Sequence, residues 1–135
     1  MLSVKRILLW SFMPIKNNIQ SKSAKRLAQL FGNSIACPSV MYNTHMLSNF
    51  RFSGDYTINM DWDAWLRMAN IDGRFVYVPD ILLAHRIHSG SATTIGLGRQ
   101  ARQREDLHLF RRLWPRPVAA ILARFYSRSY KSNEI

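Results

Sequence analysis

The pattern of hydrophobic and polar positions predicts its clearest helix near the middle of the chain, in the stretch MDWDAWLRM. Apolar residues recur there at i, i+3, i+4 and i+7, the spacing of one helix face: Trp62, Trp65, Leu66 and Ala69. Gly73 follows as a stop signal, so we expect a helix from about Asp61 to Asp72. Asp61 would then lie at the N-terminus, where a carboxylate accepts hydrogen bonds from unpaired backbone N–H groups and meets the positive end of the helix dipole.

Shorter elements are predicted on either side of this helix. Ala24–Phe31 has the pattern of a short helix that ends at Gly32-Asn33. Ile35–Tyr42 has the composition of a strand, although Pro38 interrupts it and favours an edge or a bend. Further strands are predicted at Phe75–Val78 and Ile81–Ile87, and loops at residues 43–59, with a turn at Ser53-Gly54-Asp55, and at residues 89–98.

Two helices are predicted at the C-terminal end, from about Arg99 to Trp114 and from Pro117 to about Tyr130, with Pro115 between them. The second carries an apolar stripe at i, i+3, i+4 and i+7: Val118, Ile121, Leu122 and Phe125. Basic residues accompany the stripe: Arg116, Arg124, Arg128 and Lys131. A stripe of this kind can lie on an anionic membrane surface or pack on the rest of the domain, and the sequence leaves both roles open.

Composition narrows the class of protein. A chain of 135 residues has the length of one domain, and 47% hydrophobic residues are enough for a core. The net charge of +11 favours polyanions, anionic lipid or phosphorylated ligands. The single cysteine, Cys37, excludes an internal disulfide and a cysteine-rich zinc site, and its apolar neighbours predict burial. No stretch reaches the ~18 apolar residues of a spanning helix and no signal-peptide cleavage site follows the N-terminal apolar run, so we expect a cytoplasmic protein.

Three groups of polar residues are candidates for chemistry. Asp61 can be a simple N-cap, with Asp63 a solvated acid, or it can be a general base held at the mouth of a helix beside an apolar wall. His85 and His88 point to opposite faces of a strand, so His88, where the strand ends, is the better metal ligand; a hydrogen-bonded structural histidine is the alternative. Arg86 and the Ser-rich loop that follows can hold phosphate oxygens, such as those of a diphosphate.

The order of these pieces resembles a known family. The succession PSVMY, DWDAWLRMA and GRFVYVPDILLAHRIHSGSATT is similar to the second half of family 2 glycosyltransferases with the GT-A fold. In that family a region written roughly as EDWDLWLRLA precedes GRFVYVPxxLxxYRIHxxSxT. The resemblance covers about Asn33 to Thr94. It implies an α/β fold: a partial, Rossmann-like GT-A domain over residues 1–98, the C-terminal acceptor-side part, followed by a helical extension over residues 99–135.

The family transfers a sugar from a nucleotide-sugar donor to an acceptor hydroxyl, usually with inversion. Asp61 aligns with the base that removes the acceptor's proton, although Met60 stands where the family has Glu. Trp62 and Asp63 align with residues that shape the acceptor pocket. His88 aligns with a histidine that contacts the divalent metal or the diphosphate, and Mg²⁺ or Mn²⁺ would stabilise the leaving group in the complete enzyme.

One part of the family pattern is absent from the sequence: the nucleotide-binding first half with its DxD metal motif. The resemblance therefore implies an acceptor-side fragment that is inactive alone. With the missing half it would use a nucleotide-sugar donor and a glycan or lipid-linked acceptor in cell-surface polysaccharide synthesis, peripherally at the inner membrane face. The alternative is a small basic non-catalytic module that binds anionic membrane or nucleic acid.

Overall fold

A computed structural model describes residues 18–84 and 98–131. Its helices are α1 (Lys22–Leu27), α2 (Met60–Met68), α3 (Gly98–Leu113) and α4 (Arg116–Lys131), and a 3₁₀ helix spans Cys37–Ser39. Two short strands, β1 (Asn18–Ile19) and β2 (Phe75–Val76), pair in antiparallel fashion. In this pair Asn18 lies opposite Val76 and Ile19 opposite Phe75.

The core is built around α2, because this helix buries side chains on two sides. Trp62 and Leu66 belong to a cluster with side chains from the C-terminal helices: Leu109, Phe110 and Ala119. Trp65 and Met68 belong to a second cluster, which the loop before α2 and strand β2 complete with Ile35, Val40, Leu47, Phe50 and Phe75. The central helix therefore contacts both the C-terminal helices and the N-terminal loops, and its position depends on both.

The helices predicted from the sequence are present, with shifted ends. Helix α2 ends at Met68 rather than near Asp72, because the chain then turns through i→i−3 hydrogen bonds toward Gly73, which has a φ of +119°. Helices α3 and α4 begin and end within one residue of the prediction, with Pro117 in the first turn of α4. None of the helices described here combines the length and the apolar composition that a bilayer-spanning segment needs.

The strand predicted at Ile35–Tyr42 is wrong. The chain forms a 3₁₀ helix there, in which the Val40 N–H donates to the Cys37 carbonyl at 3.4 Å. Pro38 lies in the first turn of this helix, where its fixed φ and missing N–H are tolerated, whereas a strand would lose a ladder hydrogen bond. The same turn leaves the Cys37 side chain exposed, so the expected burial of Cys37 is also wrong.

The β structure is shorter than expected. Strand β2 ends at Val76 instead of Val78, and Ile81–Ala84 is not in a strand. The rest of that predicted strand, to Ile87, and the loop after it lie outside the described residues. Within residues 18–84 and 98–131 the only sheet is the β1–β2 pair, so the GT-A architecture stays a prediction.

Candidate functional site

Asp61 lies in the first turn of α2, partly exposed, and both of its carboxylate oxygens accept hydrogen bonds. The Trp62 backbone N–H donates to Oδ1 at 2.8 Å, and the Asn33 side-chain Nδ2 donates to Oδ2 at 2.8 Å. Asn59 occupies the N-cap position but makes no capping bond with its side chain. Asp61 thus takes up one free N–H group of the helix, as a capping residue would, and keeps the surface exposure that a general base requires.

The surface beside Asp61 is formed by the chain segment around the 3₁₀ helix. Although the Cys37 side chain is exposed, its partial desolvation and then the charge of Asp61 raise the pKa of the thiol. Burial, Cys37 and Asp61, in that order, raise the pKa of the Tyr42 hydroxyl. The Tyr42 ring stacks on Trp65 with 6.0 Å between ring centroids. The charge of Asp61 therefore acts on two side chains of this segment, Cys37 and Tyr42.

Asp63 faces another part of the molecule, because residues two positions apart on a helix point in different directions. Its carboxylate is buried and accepts from Arg67 Nε at 2.7 Å and from Arg112 Nη1 at 2.5 Å. The interpretation of Asp63 as a solvated acid is wrong. The residue is a buried ion-pair centre that joins α2 to α3.

A cleft of about 440 Å³ opens beside Asp63. The residues that line it come from the loop before α2, from α2 and from α3: Ser53, Asp55, Tyr56, Asp63, Arg67, His108 and Arg112. The Tyr56 hydroxyl shares a hydrogen bond of 2.9 Å with His108 Nδ1 and accepts from Arg112 Nη1 at 3.3 Å. Because Asp61 does not line this cleft, the two carboxylates of the DWD motif belong to separate surfaces.

Trp62 is fully buried. Its ring meets Phe110 edge to face at 5.0 Å and Tyr126 at 6.0 Å between centroids. An acceptor contact by Trp62 stays a prediction, and it would require the C-terminal helices to move away from α2. In this arrangement Trp62 anchors α2 in the core and thereby fixes the direction in which Asp61 points.

Helix α2 is also held at its N-terminus by two acidic residues of α3 that the sequence analysis missed. The Glu105 carboxylate accepts from three successive backbone N–H groups, those of Thr57, Ile58 and Asn59, at 2.8–3.0 Å. Asp106 Oδ1 accepts from Asn59 Nδ2 at 2.8 Å. Successive N–H groups that converge on one point form an anion site, which a side chain of the protein fills here. The sequence carries no signal for this contact, because Glu105 and Asp106 lie in a helix rich in other polar residues.

The predicted metal and diphosphate ligands cannot be located. His85, His88 and Arg86 lie outside the described residues. Among residues 18–84 and 98–131, no three His, Cys, Asp or Glu side chains come together as a metal site requires. The described residues therefore do not fit a Mg²⁺ or Mn²⁺ site, and the metal stays a prediction for the complete enzyme.

Comparison of the chain with protein-family models, with curated protein sequences and with solved structures returned no match. The resemblance to family 2 glycosyltransferases accordingly rests on the order and spacing of its motifs. It supplies a hypothesis about Asp61 that the geometry of this residue makes testable.

Proposed function

We propose that this chain supplies the acceptor-side part of an inverting glycosyltransferase in which Asp61 is the general base. The observation that supports this role is the Asp61 carboxylate itself, held on both oxygens by fixed donors and still partly exposed. A general base must lie within hydrogen-bond reach of the proton that it removes, and its direction must be fixed. The Trp62 N–H and the Asn33 amide fix this direction.

The proposed step is a single displacement. The acceptor hydroxyl oxygen forms a bond to the anomeric carbon of the donor sugar while its proton passes to the Asp61 carboxylate. The bond from that carbon to the nucleoside diphosphate breaks, and the diphosphate leaves with the electron pair. The described residues supply the base and the acceptor side of this reaction; donor binding belongs to the nucleotide-binding half.

This chain exposes an apolar surface on which a second part of the enzyme would pack. The segment from Val76, the last residue of β2, to Leu83 exposes six large apolar side chains: Val76, Tyr77, Val78, Ile81, Leu82 and Leu83. Six exposed apolar side chains within eight residues are uncommon on a protein that acts alone. We infer that the nucleotide-binding half covers it, and that the assembled enzyme works on glycan or lipid-linked acceptors at the cytoplasmic membrane face.

The test is sugar transfer from labelled nucleotide sugars by an assembly of this chain with a DxD-containing half. That half can be one encoded next to the chain or one taken from a family 2 enzyme and fused to it. The chain alone is expected to be inactive. In the assembly, Asp61→Asn keeps an oxygen that can accept from the Trp62 N–H but cannot take a proton. Loss of a general base typically lowers the rate ~10²–10⁴-fold.

The matched control is Asp72→Asn, which removes an exposed carboxylate elsewhere on the chain. It should leave the rate unchanged. Asp61→Asn keeps the bond from the Trp62 N–H but loses the one from the Asn33 amide, so its stability should fall by no more than about 1 kcal/mol and the variant should stay folded. The capping interpretation makes the opposite prediction. Under it, Asp61→Asn stays active while Asp61→Ala loses about 1 kcal/mol of stability, and that result would remove Asp61 from the mechanism.

A further inference from the structure

Helix α4 packs on the rest of the protein with one face only. Ala119 is buried, and Leu122, Ala123 and Tyr126 contact the core cluster of α2 and α3. The neighbouring face carries three large apolar side chains that stay exposed: Val118 at 37%, Ile121 at 55% and Phe125 at 63%. Of the apolar stripe that the sequence shows on this helix, only Leu122 is used for packing on the domain.

Cationic side chains border this exposed face. Ile121, Phe125 and Arg128 follow one another at i, i+4 and i+7, and the Arg128 guanidinium carbon lies 5.6 Å from the centroid of the Phe125 ring. Arg124 is also exposed. The sequence has no acidic residue between Asp106 and Glu134, and its cations in that stretch are Arg111, Arg112, Arg116, Arg124, Arg128 and Lys131. The face is therefore apolar along its centre and positively charged along one margin.

We propose that α4 docks this protein on an anionic lipid bilayer. The helix lies in the plane of the surface, with Val118, Ile121 and Phe125 among the upper acyl chains and Arg124 and Arg128 at the lipid phosphates. An exposed apolar strip bordered by cations is the pattern of helices that bind in the bilayer interface. Docking goes beyond sugar transfer, because it involves neither Asp61 nor a nucleotide sugar.

Charge and shape favour lipid over the other partners. A nucleic acid would neutralise Arg124 and Arg128 but would leave Ile121 and Phe125 in water. A second copy of the chain would bring the same arginines together, and like charges at close range repel. A bilayer with anionic headgroups buries the apolar strip among its acyl chains and at the same time pairs the cations with lipid phosphates.

Docking requires no rearrangement of the fold. The side chains that hold α4 on the core, Ala119 and Tyr126 among them, are on a different face from the exposed strip. Substitutions on the strip should therefore leave the fold unchanged. Circular dichroism and a thermal melt of each variant check this.

The experiment is flotation of the full chain with vesicles, either of phosphatidylcholine alone or of equal parts phosphatidylcholine and phosphatidylglycerol. The chain is expected to float with the anionic vesicles only. Each arginine near an anionic surface strengthens binding roughly fivefold, so Arg124→Gln with Arg128→Gln should weaken it on the order of 20-fold. The control pair, Arg26→Gln with Arg74→Gln, removes the same charge from exposed positions on other elements and should weaken it much less.

The apolar strip has its own matched control. Ile121→Ser with Phe125→Ser should weaken flotation at least tenfold, because both side chains leave the acyl region. Ile81→Ser with Leu82→Ser changes side chains that are more exposed, at 96% and 74%, and should leave flotation unchanged. Equal losses in the two apolar pairs would overturn the proposal. The proposal would also be overturned if duplex DNA competed with the vesicles and only the arginine pair reduced flotation. That result would indicate a nucleic-acid site. Asp61→Asn should float like the parent, so docking and catalysis can fail independently.

Discussion

Asp61 and Asp63 are two positions apart on α2, and their surroundings give them opposite properties. Asp63 is enclosed by two guanidinium groups, so its oxygens are occupied in an ion pair that joins two helices. Asp61 is held by neutral donors, the Trp62 N–H and the Asn33 amide, and keeps contact with solvent. A carboxylate bound by neutral donors at the surface remains able to receive a proton from an approaching hydroxyl, and this difference selects Asp61 as the candidate base.

Removal of the Asp61 charge is expected to make Cys37 react faster. Partial desolvation and the charge of Asp61 both raise the pKa of the Cys37 thiol, and the thiolate is the reactive form. In Asp61→Asn the pKa of Cys37 falls, so more thiolate is present at any given pH below it. The measurement is the rate of alkylation by iodoacetamide as a function of pH. The pH at which the rate is half-maximal should be lower in Asp61→Asn than in the parent, and unchanged in Asp72→Asn. An unchanged midpoint in both variants would show that Asp61 does not act on the thiol.

The sequence identifies Asp61 but not the residues that hold it. Asp61 can be found because it precedes an apolar helical repeat and falls in a recognisable motif. Asn33 is 28 positions away in a stretch with no periodic pattern, and its contact with Asp61 exists only after the chain has folded. Glu105 likewise contacts backbone groups 46–48 positions away. Contacts of this kind depend on tertiary structure, which local patterns do not encode.

At the scale of elements, α2 is fixed at both ends by charged side chains from other helices. Glu105 of α3 binds the N–H groups before the helix. At the other end, Lys25 of α1 is buried and its Nζ donates to the Ile71 carbonyl at 2.6 Å and to the Gly73 carbonyl at 3.3 Å. A cation that binds carbonyls beyond the last turn complements the negative end of the helix dipole. The direction of Asp61 thus depends on α1 and α3 as well as on its own helix.

Replacement of Lys25 by Met is expected to destabilise the fold by about 1–3 kcal/mol, because two partly buried carbonyls lose their donor. The control is Lys22→Met on the same helix. Lys22 forms only an exposed ion pair with Asp72 at 2.8 Å, and its loss should barely change the melting temperature. Urea unfolding of both variants measures the difference, and equal effects would mean that the Lys25 bonds contribute nothing beyond a surface pair.

The stability of the parent should also respond to Lys25 as the pH changes. Burial, with a smaller effect of Lys22, lowers the pKa of Lys25, while Asp72 opposes the change. Because the pKa of Lys25 is lower in the folded chain, the unfolded chain binds the ammonium proton more tightly. A rise in pH toward the ordinary lysine pKa of 10.5 therefore increases the free energy of unfolding. The advantage is lost as the pH falls through the folded pKa. The stability difference between the parent and Lys25→Met should therefore grow over that alkaline range.

Long elements were predicted well and short ones poorly, for a physical reason. Helices α3 and α4 extend over 16 residues each, so many positions contribute to the same periodic signal. The segment around Pro38 offers few positions, and its β-branched and aromatic residues favour a strand that the proline then prevents. Gly32 was predicted to stop the first helix at Phe31, but α1 already ends at Leu27. The conformation of Gly32 reflects a tertiary constraint instead: its φ is +127°, and an added Cβ would meet the Tyr126 ring of α4.

At the scale of the whole molecule, two of the regions that expose apolar side chains differ in charge: the α4 face and the segment from Val76 to Leu83. Cations border the α4 face, which suits an anionic bilayer. The segment from Val76 to Leu83 contains no cation and one acid, Asp80. It begins at Val76, the last residue of β2, and β1 pairs with β2 on one side. We expect an exposed apolar segment beside a short sheet to be covered by another polypeptide.

The last prediction follows from this second region: the isolated chain should self-associate through the segment from Val76 to Leu83. Ile81→Lys with Leu82→Lys adds charge at the two most exposed apolar positions of the segment, at 96% and 74%, and should shift the chain toward monomer in sedimentation velocity over a range of concentrations. The control, Ile121→Lys with Phe125→Lys on α4, adds the same charge to the other apolar region and should not change the association. Both pairs should melt like the parent, since the replaced side chains are exposed. Two results would contradict this prediction: a parent chain that is monomeric at every concentration, or dissociation by the α4 pair alone. Either result would show that the segment from Val76 to Leu83 is not a contact surface. The inference that the nucleotide-binding half covers this segment would then also fail.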